Sequence, residues 1–287
     1  MNLLSNWPVN LILYYVFIVV YFLSYKMAVK AVKKDGAATI LLQSIAGLSI
    51  LVLLPFFHFT WPSASHTLLL LAGACIFYAI NDRMQTTVRK HLEVSTFSIL
   101  SQISTVFLII FGFTFFKDPF VLTKVMGGLL ILAANIWLFY KPKSHNFIIS
   151  KYSWLAIGAA LAFAVAISID IDISKSFNLP FYISLTLLIP AVMIIIGEKL
   201  KLTEIINEYQ TGPKKWFLIT GLSWGLAIFF SLRAFKFGTV STIVPLEAVA
   251  VILNVFAAYI FLKERDRPYQ KIFGAILVVL GVLLTVH

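Results

Sequence analysis

Residues 241–282 read STIVPLEAVAVILNVFAAYIFLKERDRPYQKIFGAILVVLGV, which is two long apolar runs joined by a short charged turn. Each run has about the 20 apolar residues that a helix needs to cross the hydrocarbon core of a bilayer. Such runs must be helical, because hydrocarbon offers the backbone N–H and C=O groups no other partners. This stretch therefore predicts two membrane-spanning helices connected by a tight turn.

The composition of the whole chain also indicates a protein that is embedded in a membrane. The 287 residues are 60% hydrophobic and 12% charged, with a mean hydropathy of +0.94. Roughly a quarter of the residues in a water-soluble domain are charged, so a soluble domain of appreciable size is excluded. We therefore do not attribute the net charge of +11 to a nucleic-acid partner. The expected partners are a small-molecule solute and membrane lipids, and a monomer is compatible with the sequence.

Similar apolar runs recur along the chain and predict an all-α integral membrane protein with ten transmembrane helices. The predicted spans are 9–27, 37–57, 66–86, 94–116, 120–140, 152–175, 180–198, 215–236, 239–262 and 268–286. Most connections between them are short. We expect the longer linker of residues 199–214 to carry a short surface helix.

The 23 lysine and arginine residues are distributed unevenly between the connections. Of these, 18 lie in or beside the connections that follow spans one, three, five, seven and nine. The remaining five are Lys117, Lys124, Lys175, Arg233 and Lys236. Cytoplasmic loops are the ones enriched in basic residues. We therefore expect a multi-pass protein of the bacterial cytoplasmic (inner) membrane, with both termini on the extracytoplasmic side.

The chain aligns with itself at an offset of 146 residues, which indicates an internal duplication. The matching positions are Val94-Ser95-Thr96 with Val240-Ser241-Thr242, Leu100 with Leu246, Phe115 with Phe261, Lys117-Asp118 with Lys263-Glu264, and Gly128 with Gly274. We predict a first repeat of residues 1–145, which is degenerate, and a second of residues 146–287. Because each repeat has five spans, the second one enters the membrane from the opposite side. Inverted repeats of this kind build many secondary transporters.

The chain resembles the EamA-type members of the drug/metabolite transporter superfamily. The resemblance is carried by Val-Ser-Thr, a long apolar helix, Phe-Leu-Lys-Glu-Arg and a glycine in the last span, all within residues 240–282. Residues 95–128 hold a degraded copy of this pattern. The resemblance implies a ten-helix transporter of small organic metabolites built from two five-helix repeats.

The sequence shows no constellation typical of an enzyme. The five histidines lie in loops or at the tail, and there is no phosphate-binding glycine loop, nucleophile elbow or paired carboxylate site. We expect no enzymatic activity and no cofactor. The energy for transport would then come from the solute gradient or from a coupled proton.

Glu247 is the first candidate for solute binding, because it lies about 12 Å into the apolar ninth span. Charged groups at this depth are costly and usually functional. Arg233, near the end of span eight, is expected to lie close enough for an ion pair. Two interpretations remain open: Glu247 binds an amine or carries a proton, or the pair is a structural clamp.

The second candidate is Asp170 in the polar stretch Ser168-Ile-Asp-Ile-Asp-Ile-Ser of span six. Asp170 and Asp172 point to different sides of a helix, so only one of them faces a central cavity easily. Asp172 is expected to form a salt bridge with Lys175 at the helix end. This leaves Asp170 as the better candidate for the cavity.

Other candidates are polar or aromatic side chains at membrane depth. They are Tyr21, Tyr78, Asn81, Asp82, Ser98, Gln102 and Trp224. Asn81 and Asp82 belong either to a site or to a helix end at the membrane interface. Ser98 and Gln102 lie on a polar stripe that either lines a cavity or holds helices together, as interhelical hydrogen bonds often do. Tyr21 and Trp224 are suited to stacking on an aromatic or cationic solute.

These features together predict a secondary active transporter that works by alternating access. We expect an exporter or exchanger of small organic metabolites such as amino acids or amines. The alternatives are an uptake permease for a cationic or sugar-type solute and, from another class, a membrane-embedded enzyme or scaffold.

Overall fold

The computed structural model describes residues 6–62, 64–115, 120–141, 146–147, 149–238 and 240–286. In these ranges the chain forms twelve α-helices and one two-stranded ribbon. The helices are α1 (Trp7–Val29), α2 (Asp35–Leu51), α3 (Ser65–His91), α4 (Val94–Ser101), α5 (Ile103–Thr114), α6 (Leu122–Phe139), α7 (Lys151–Ile173), α8 (Leu179–Glu198), α9 (Leu202–Thr211), α10 (Lys214–Phe237), α11 (Val240–Phe261) and α12 (Pro268–Val286). In the ribbon, β1 (Tyr140–Lys141) pairs antiparallel with β2 (Asn146–Phe147).

The helical segments confirm an α-helical membrane protein. Within the described ranges, nine segments are long and apolar enough to cross a bilayer. The predicted ninth span contains a shorter apolar helix, Leu246–Phe261, so the count of ten spans stays a prediction. The short surface helix expected in the linker is confirmed as α9. The Lys117-Asp118 turn of the repeat alignment lies outside the described residues.

Local sequence sets where the helices begin. Pro8 is in the first turn of α1, where proline costs no hydrogen bond. The Ser150 side chain accepts a hydrogen bond from the Ser153 N–H at the start of α7. At the start of α8 the Asn178 side chain accepts one from the Phe181 N–H. Each cap satisfies a donor that the helix leaves without a partner.

The helices pack in a regular set of pairs. The pairs include α1 with α10, α3 with α7, α2 with α8, α6 with α12, and α4 with α11. The two predicted repeats would match α1 with α7, α2 with α8, α3 with α10, α4–α5 with α11, and α6 with α12. Exchanging matched helices leaves these five pairs unchanged as a set. For example, the contact of α1 with α10 becomes the contact of α7 with α3.

Helices α6 and α12 approach closely because glycine faces glycine. A Cβ atom on Gly281 would lie 2.8 Å from the backbone oxygen of Gly127 and 2.8 Å from Cγ1 of Ile131. Both distances are shorter than real side-chain contacts. In a membrane, small residues allow two backbones to pack this tightly.

We expect Gly281→Val to destabilise the protein by about 1–3 kcal/mol, the usual cost of overpacking a tight core. The measurement is the apparent melting temperature of the purified protein in detergent. Gly197→Val is the matched control, because no atom lies within 4 Å of a Cβ at Gly197. Equal melting temperatures for the two variants would contradict the close approach.

One end of the bundle, here called the basic end, carries the connections α1–α2, α3–α4, α6–α7, α8–α10 and α11–α12. Hydrogen bonds and ion pairs join these connections to one another. The Lys26 ammonium donates to the carbonyl oxygens of Arg89, Lys90 and Leu92 at 2.7–3.0 Å. Arg83 of α3 pairs with Glu198 of α8.

Several of the joining groups at the basic end are carboxylates. Glu208 of α9 accepts from the backbone N–H groups of Lys33 and Lys34 at 3.0 and 3.1 Å. The Lys34 ammonium lies 2.6 Å from Glu204. That hydrogen bond, together with one from the Lys201 N–H, holds the pKa of Glu204 below its usual value.

Glu264 and Lys271 connect the α11–α12 region to the start of α4. The Glu264 carboxylate accepts from the N–H of Val94 at 2.7 Å, from the N–H of Ser95 at 3.0 Å and from the Ser95 hydroxyl at 2.5 Å. The Lys271 ammonium lies 2.7 Å from Glu93. Lys271 is only 2% exposed, so its charge depends on this partner.

Candidate functional site

A cavity of about 420 Å³ lies in the middle of the helix bundle. Helices of both predicted repeats line it: α1, α3, α4 and α5 from the first, and α7, α8, α10, α11 and α12 from the second. Eight of the ten candidate residues are among those that line it: Tyr21, Tyr78, Asn81, Asp82, Gln102, Asp170, Trp224 and Glu247. The other two, Arg233 and Ser98, are not among the described residues of the lining.

The fourth span is broken beside the cavity. Helix α4 ends at Ser101, Gln102 has the turn-like backbone angles φ −72° and ψ −7°, and α5 begins at Ile103. The hydroxyls of Ser101 and Ser104 donate to backbone carbonyls three residues earlier, at 2.9 and 2.8 Å. Hydroxyls that bond to the backbone in this way disturb a helix. The break places Ser101, Gln102, Ser104 and Thr105 at the cavity.

The polar stripe predicted on span four therefore divides into two parts. Ser98 lies on the part that holds helices together, since its hydroxyl accepts a hydrogen bond from the Asn254 amide of α11 at 3.2 Å. Gln102 lies on the part that lines the cavity. The stripe therefore holds helices together at Ser98 and lines the cavity at Gln102.

Glu247 lines the cavity from the second turn of α11. Its carboxylate is hydrogen-bonded by Ser231 of α10. Its Oε1 atom is buried and has no hydrogen-bond partner among the residues that the structure describes. Tyr14 and Tyr15 of α1 lie near enough to interact with its charge, and the Tyr15 hydroxyl donates to the adjacent Leu246 carbonyl. One carboxylate oxygen thus retains capacity for a ligand or a proton.

The expected ion pair between Arg233 and Glu247 is wrong. No such pair occurs among the ion pairs of the described side chains. The Arg233 guanidinium instead lies 5.3–5.6 Å from the ring centres of Phe57, Phe229 and Phe237. The physical reason is the direction of the side chain on α10: Ser231 faces α11, and Arg233, two residues on, points elsewhere.

Asp170 lines the cavity between two tyrosines. The Tyr78 hydroxyl of α3 donates to its Oδ2 at 2.7 Å, and the Tyr182 hydroxyl of α8 donates to its Oδ1. Both oxygens therefore already have a donor. Tyr182 also lines the cavity, although no sequence pattern distinguishes it from the other tyrosines. The side chains of Asp172 and Lys175 lie outside the described part of the structure, so their salt bridge stays a prediction.

Asn81 and Asp82 are buried inside the bundle, and both line the cavity. They are only 3% and 5% exposed. The two oxygens of Asp82 accept from the amides of Asn81 and of Gln43 in α2, each at 2.8 Å. The Asn81 carbonyl in turn accepts from the Gln85 amide at 2.9 Å. Asp82 is thus held in a network of neutral amides beside the cavity.

Arg89 is a cavity residue that the sequence analysis did not select. Because it is near the end of the third span, Arg89 is one of the 18 basic residues whose distribution predicts the orientation of the chain. Its side chain turns inward from the last turn of α3 and lines the cavity. The signal that could have found it is the cluster of aromatic residues in spans one and four, which surround it in the structure.

Trp224 and Tyr21 form an aromatic wall of the cavity. Their ring centres are 5.5 Å apart and their planes are inclined by 28°, which is a stacked arrangement. Among the described residues, no group of three or more histidine, cysteine, aspartate or glutamate side chains is placed to hold a metal ion. The lining combines aromatic faces, neutral amides and hydroxyls, three carboxylates and one guanidinium, and this is the donor set of a site for a polar organic solute.

The comparisons with known proteins agree with this architecture. Residues 150–287 match the EamA-like transporter family. A solved crystal structure of a protein with 11% sequence identity superposes with a TM-score of 0.58, over 96% of this chain and 95% of that chain. An identity this low shows a shared fold alone. No curated protein matches the chain in sequence. The predicted resemblance is confirmed for the second half of the chain: residues 150–287 are similar to the EamA-like transporter family.

Proposed function

We propose that the protein is a secondary active transporter that exports or exchanges a small organic solute, such as an amino acid or an amine. The observation that carries this proposal is the central cavity of about 420 Å³, to which helices of both predicted repeats contribute polar groups. The match of residues 150–287 to a transporter family supports it. A solute held between two halves of a bundle can be released to either side when the halves rock.

An inverted repeat of ten helices is part of the proposal. The five packing pairs, which are unchanged as a set when matched helices are exchanged, support a two-fold relation between the halves. The break between α4 and α5 at the cavity supports it as well, since discontinuous helices are common at transporter sites. The 18 basic residues beside the odd-numbered connections support a cytoplasmic basic end, extracytoplasmic termini and a bacterial inner-membrane location.

Glu247 is proposed as the residue that binds the cationic group of the solute or a coupled proton. Its support is the buried oxygen without a hydrogen-bond partner among the described residues. Asp170 is second, because both of its oxygens already accept hydrogen bonds from tyrosines. A proton or solute gradient would supply the energy. An uptake permease, the first alternative, would move its solute through the same cavity in the opposite direction. A membrane-embedded enzyme or scaffold, the second alternative, would move no solute through it.

A tryptophan placed inside the cavity tests the proposal. Ala160 of α7 lines the cavity and is 5% exposed. We expect Ala160→Trp to abolish counterflow in proteoliposomes, because the indole fills the space that the solute needs. The assay uses a labelled panel of amino acids, polyamines, choline-like cations and sugars.

Ala133→Trp is the matched control, because Ala133 is exposed on α6, a helix that contributes no described residue to the cavity lining. Size-exclusion chromatography checks that both variants remain folded. If a folded Ala160→Trp variant carries the same flux as the control, the cavity is not the transport pathway. Absence of any flux in the wild-type protein would favour the enzyme or scaffold instead.

A further inference from the structure

Arg89 is enclosed by aromatic rings at the edge of the cavity. Its guanidinium carbon lies 4.2–4.7 Å from four ring centres, and the residue is 5% exposed. The rings belong to Tyr21, Phe22, Tyr25 and Phe97. Ring faces attract a cation and stabilise it after it has lost its water. They do not neutralise its charge.

The guanidinium of Arg89 forms its hydrogen bonds with a neutral side chain. Its Nε and Nη2 atoms donate to the Gln85 side-chain oxygen at 3.2 and 3.1 Å, and that acceptor is neutral. Among the ion pairs of the described side chains, none involves Arg89. A buried charge is costly unless an opposite charge is paired with it. The guanidinium therefore lines the cavity without an anionic partner among the described side chains.

The nearest acidic group on the same helix is already engaged. Asp82 lies two helical turns before Arg89, about 10 Å along α3. Its oxygens accept from the Gln43 and Asn81 amides. Asp82 lowers the positive potential around the guanidinium by its charge but does not occupy its hydrogen-bonding face. The resulting local field suits an anion with a single charge.

Arg89 and Glu247 belong to different parts of the cavity. The Arg89 guanidinium lies over the Tyr21 ring, whereas Glu247 interacts with Tyr14. Tyr14 and Tyr21 are seven residues apart on α1, a rise of about 10 Å. Arg89 is in the last turn of α3 at the basic end, and Glu247 is in the second turn of α11, which begins at the opposite end. The two groups are therefore separated by about 10 Å along the direction of α1.

We infer that Arg89 is the anion-binding residue of the cavity and that it selects solutes with a carboxylate group. This inference rests on the proposed function. A carboxylate fits the planar guanidinium and needs only one positive charge. The apolar body of the solute would lie against the aromatic wall of Tyr21 and Trp224, which begins at the guanidinium itself. Glu247, about two helical turns away, would bind a separate cation or proton.

Four related probes separate the contributions of the carboxylate and the amine. They are 3-phenylpropionate, phenylalanine, phenethylamine and 3-phenylpropionamide. The ligand-induced shift in melting temperature and the dissociation constant are measured for the purified full-length protein, relative to each variant without ligand. We expect the two carboxylates to bind the wild-type protein and the amine and the amide to bind at least tenfold more weakly.

Two substitutions of Arg89 and one control complete the test. We expect Arg89→Gln to weaken binding of 3-phenylpropionate at least tenfold and Arg89→Lys to weaken it less, because lysine keeps the charge without the planar fork. Arg83→Gln is the control: Arg83 is on the same helix, pairs with Glu198 at the basic end and is not among the described residues of the cavity lining. Its binding should equal that of the wild-type protein.

The inference is overturned if folded Arg89→Gln binds the carboxylates as the wild-type protein does, or if the wild-type protein binds none of them. It is also overturned if phenethylamine binds as tightly as the carboxylates. The transport proposal fails separately, by the flux assay with Ala160→Trp. If binding depends on Arg89 but no flux is observed, only the transport proposal is contradicted. If the protein transports solutes that lack a carboxylate, only the role of Arg89 is contradicted.

Discussion

Glu247→Gln is expected to reduce solute flux in proteoliposomes at least tenfold and to remove its dependence on pH. The substitution keeps the size of the side chain and its hydrogen bond with Ser231, but it removes the negative charge. Hydrogen bonds to charged groups contribute about 1.5–3 kcal/mol, and each 1.4 kcal/mol corresponds to a tenfold change. The measurement is counterflow of the panel solute with the highest flux at several pH values.

Two other carboxylates provide the comparison. Glu204→Gln is the control, because Glu204 lies outside the spans in α9, where it pairs with Lys34. Asp170→Asn is expected to have a smaller effect on pH dependence, because Tyr78 and Tyr182 already hold both oxygens. Unchanged flux and pH dependence in Glu247→Gln would exclude Glu247 as the binding or coupling residue.

Glu264→Ala is expected to cause the largest loss of stability among the charged residues of the basic end. Glu264 is 9% exposed and accepts three hydrogen bonds from Val94 and Ser95. Its removal leaves two backbone N–H groups and a hydroxyl without this acceptor, and each buried donor without a partner costs about 1–3 kcal/mol. We expect a total of about 3 kcal/mol, measured as a fall in apparent melting temperature on the order of 10 °C in detergent.

The control for this substitution is in the same loop. Asp266 is an exposed carboxylate that pairs only with its neighbour Arg267 among the described ion pairs, and exposed pairs contribute little. Asp266→Ala should therefore leave the melting temperature nearly unchanged. If Glu264→Ala and Asp266→Ala melt at the same temperature, the contact between the α11–α12 loop and α4 does not stabilise the bundle.

The sequence was sufficient to find the three carboxylates of the described cavity lining. Glu247 and Asp170 interrupt apolar runs, and a charge in such a run is expensive enough to be selected from composition alone. The same reasoning failed for Arg89, because a basic residue near the end of a span is ordinarily an orientation signal. Whether its side chain turns toward water or into the bundle depends on neighbours from α1 and α4, and no local pattern encodes them.

The pairing of charges was also beyond the sequence. Arg233 and Glu247 are near each other along two antiparallel helices, yet Arg233 lies over the rings of Phe57 and Phe237. The rotation of each helix about its own axis determines which side chains meet, and packing against every neighbouring helix sets that rotation. Ser98 and Gln102 separate for the same reason, since the break after α4 changes the direction of the stripe.

Hydrophobic length was enough to identify a helical membrane protein from the sequence, because a long apolar run that crosses a bilayer satisfies its backbone hydrogen bonds within a helix. The sequence also contained the EamA-like pattern of the second half and the acidic residues that interrupt the apolar runs. The packing of the helices brings these residues to one cavity, adds Arg89 to it, and leaves Arg233 out of its described lining. The physical reason is that a site is a meeting of side chains from many helices, and their relative positions arise from packing between helices rather than from the pattern along any one of them.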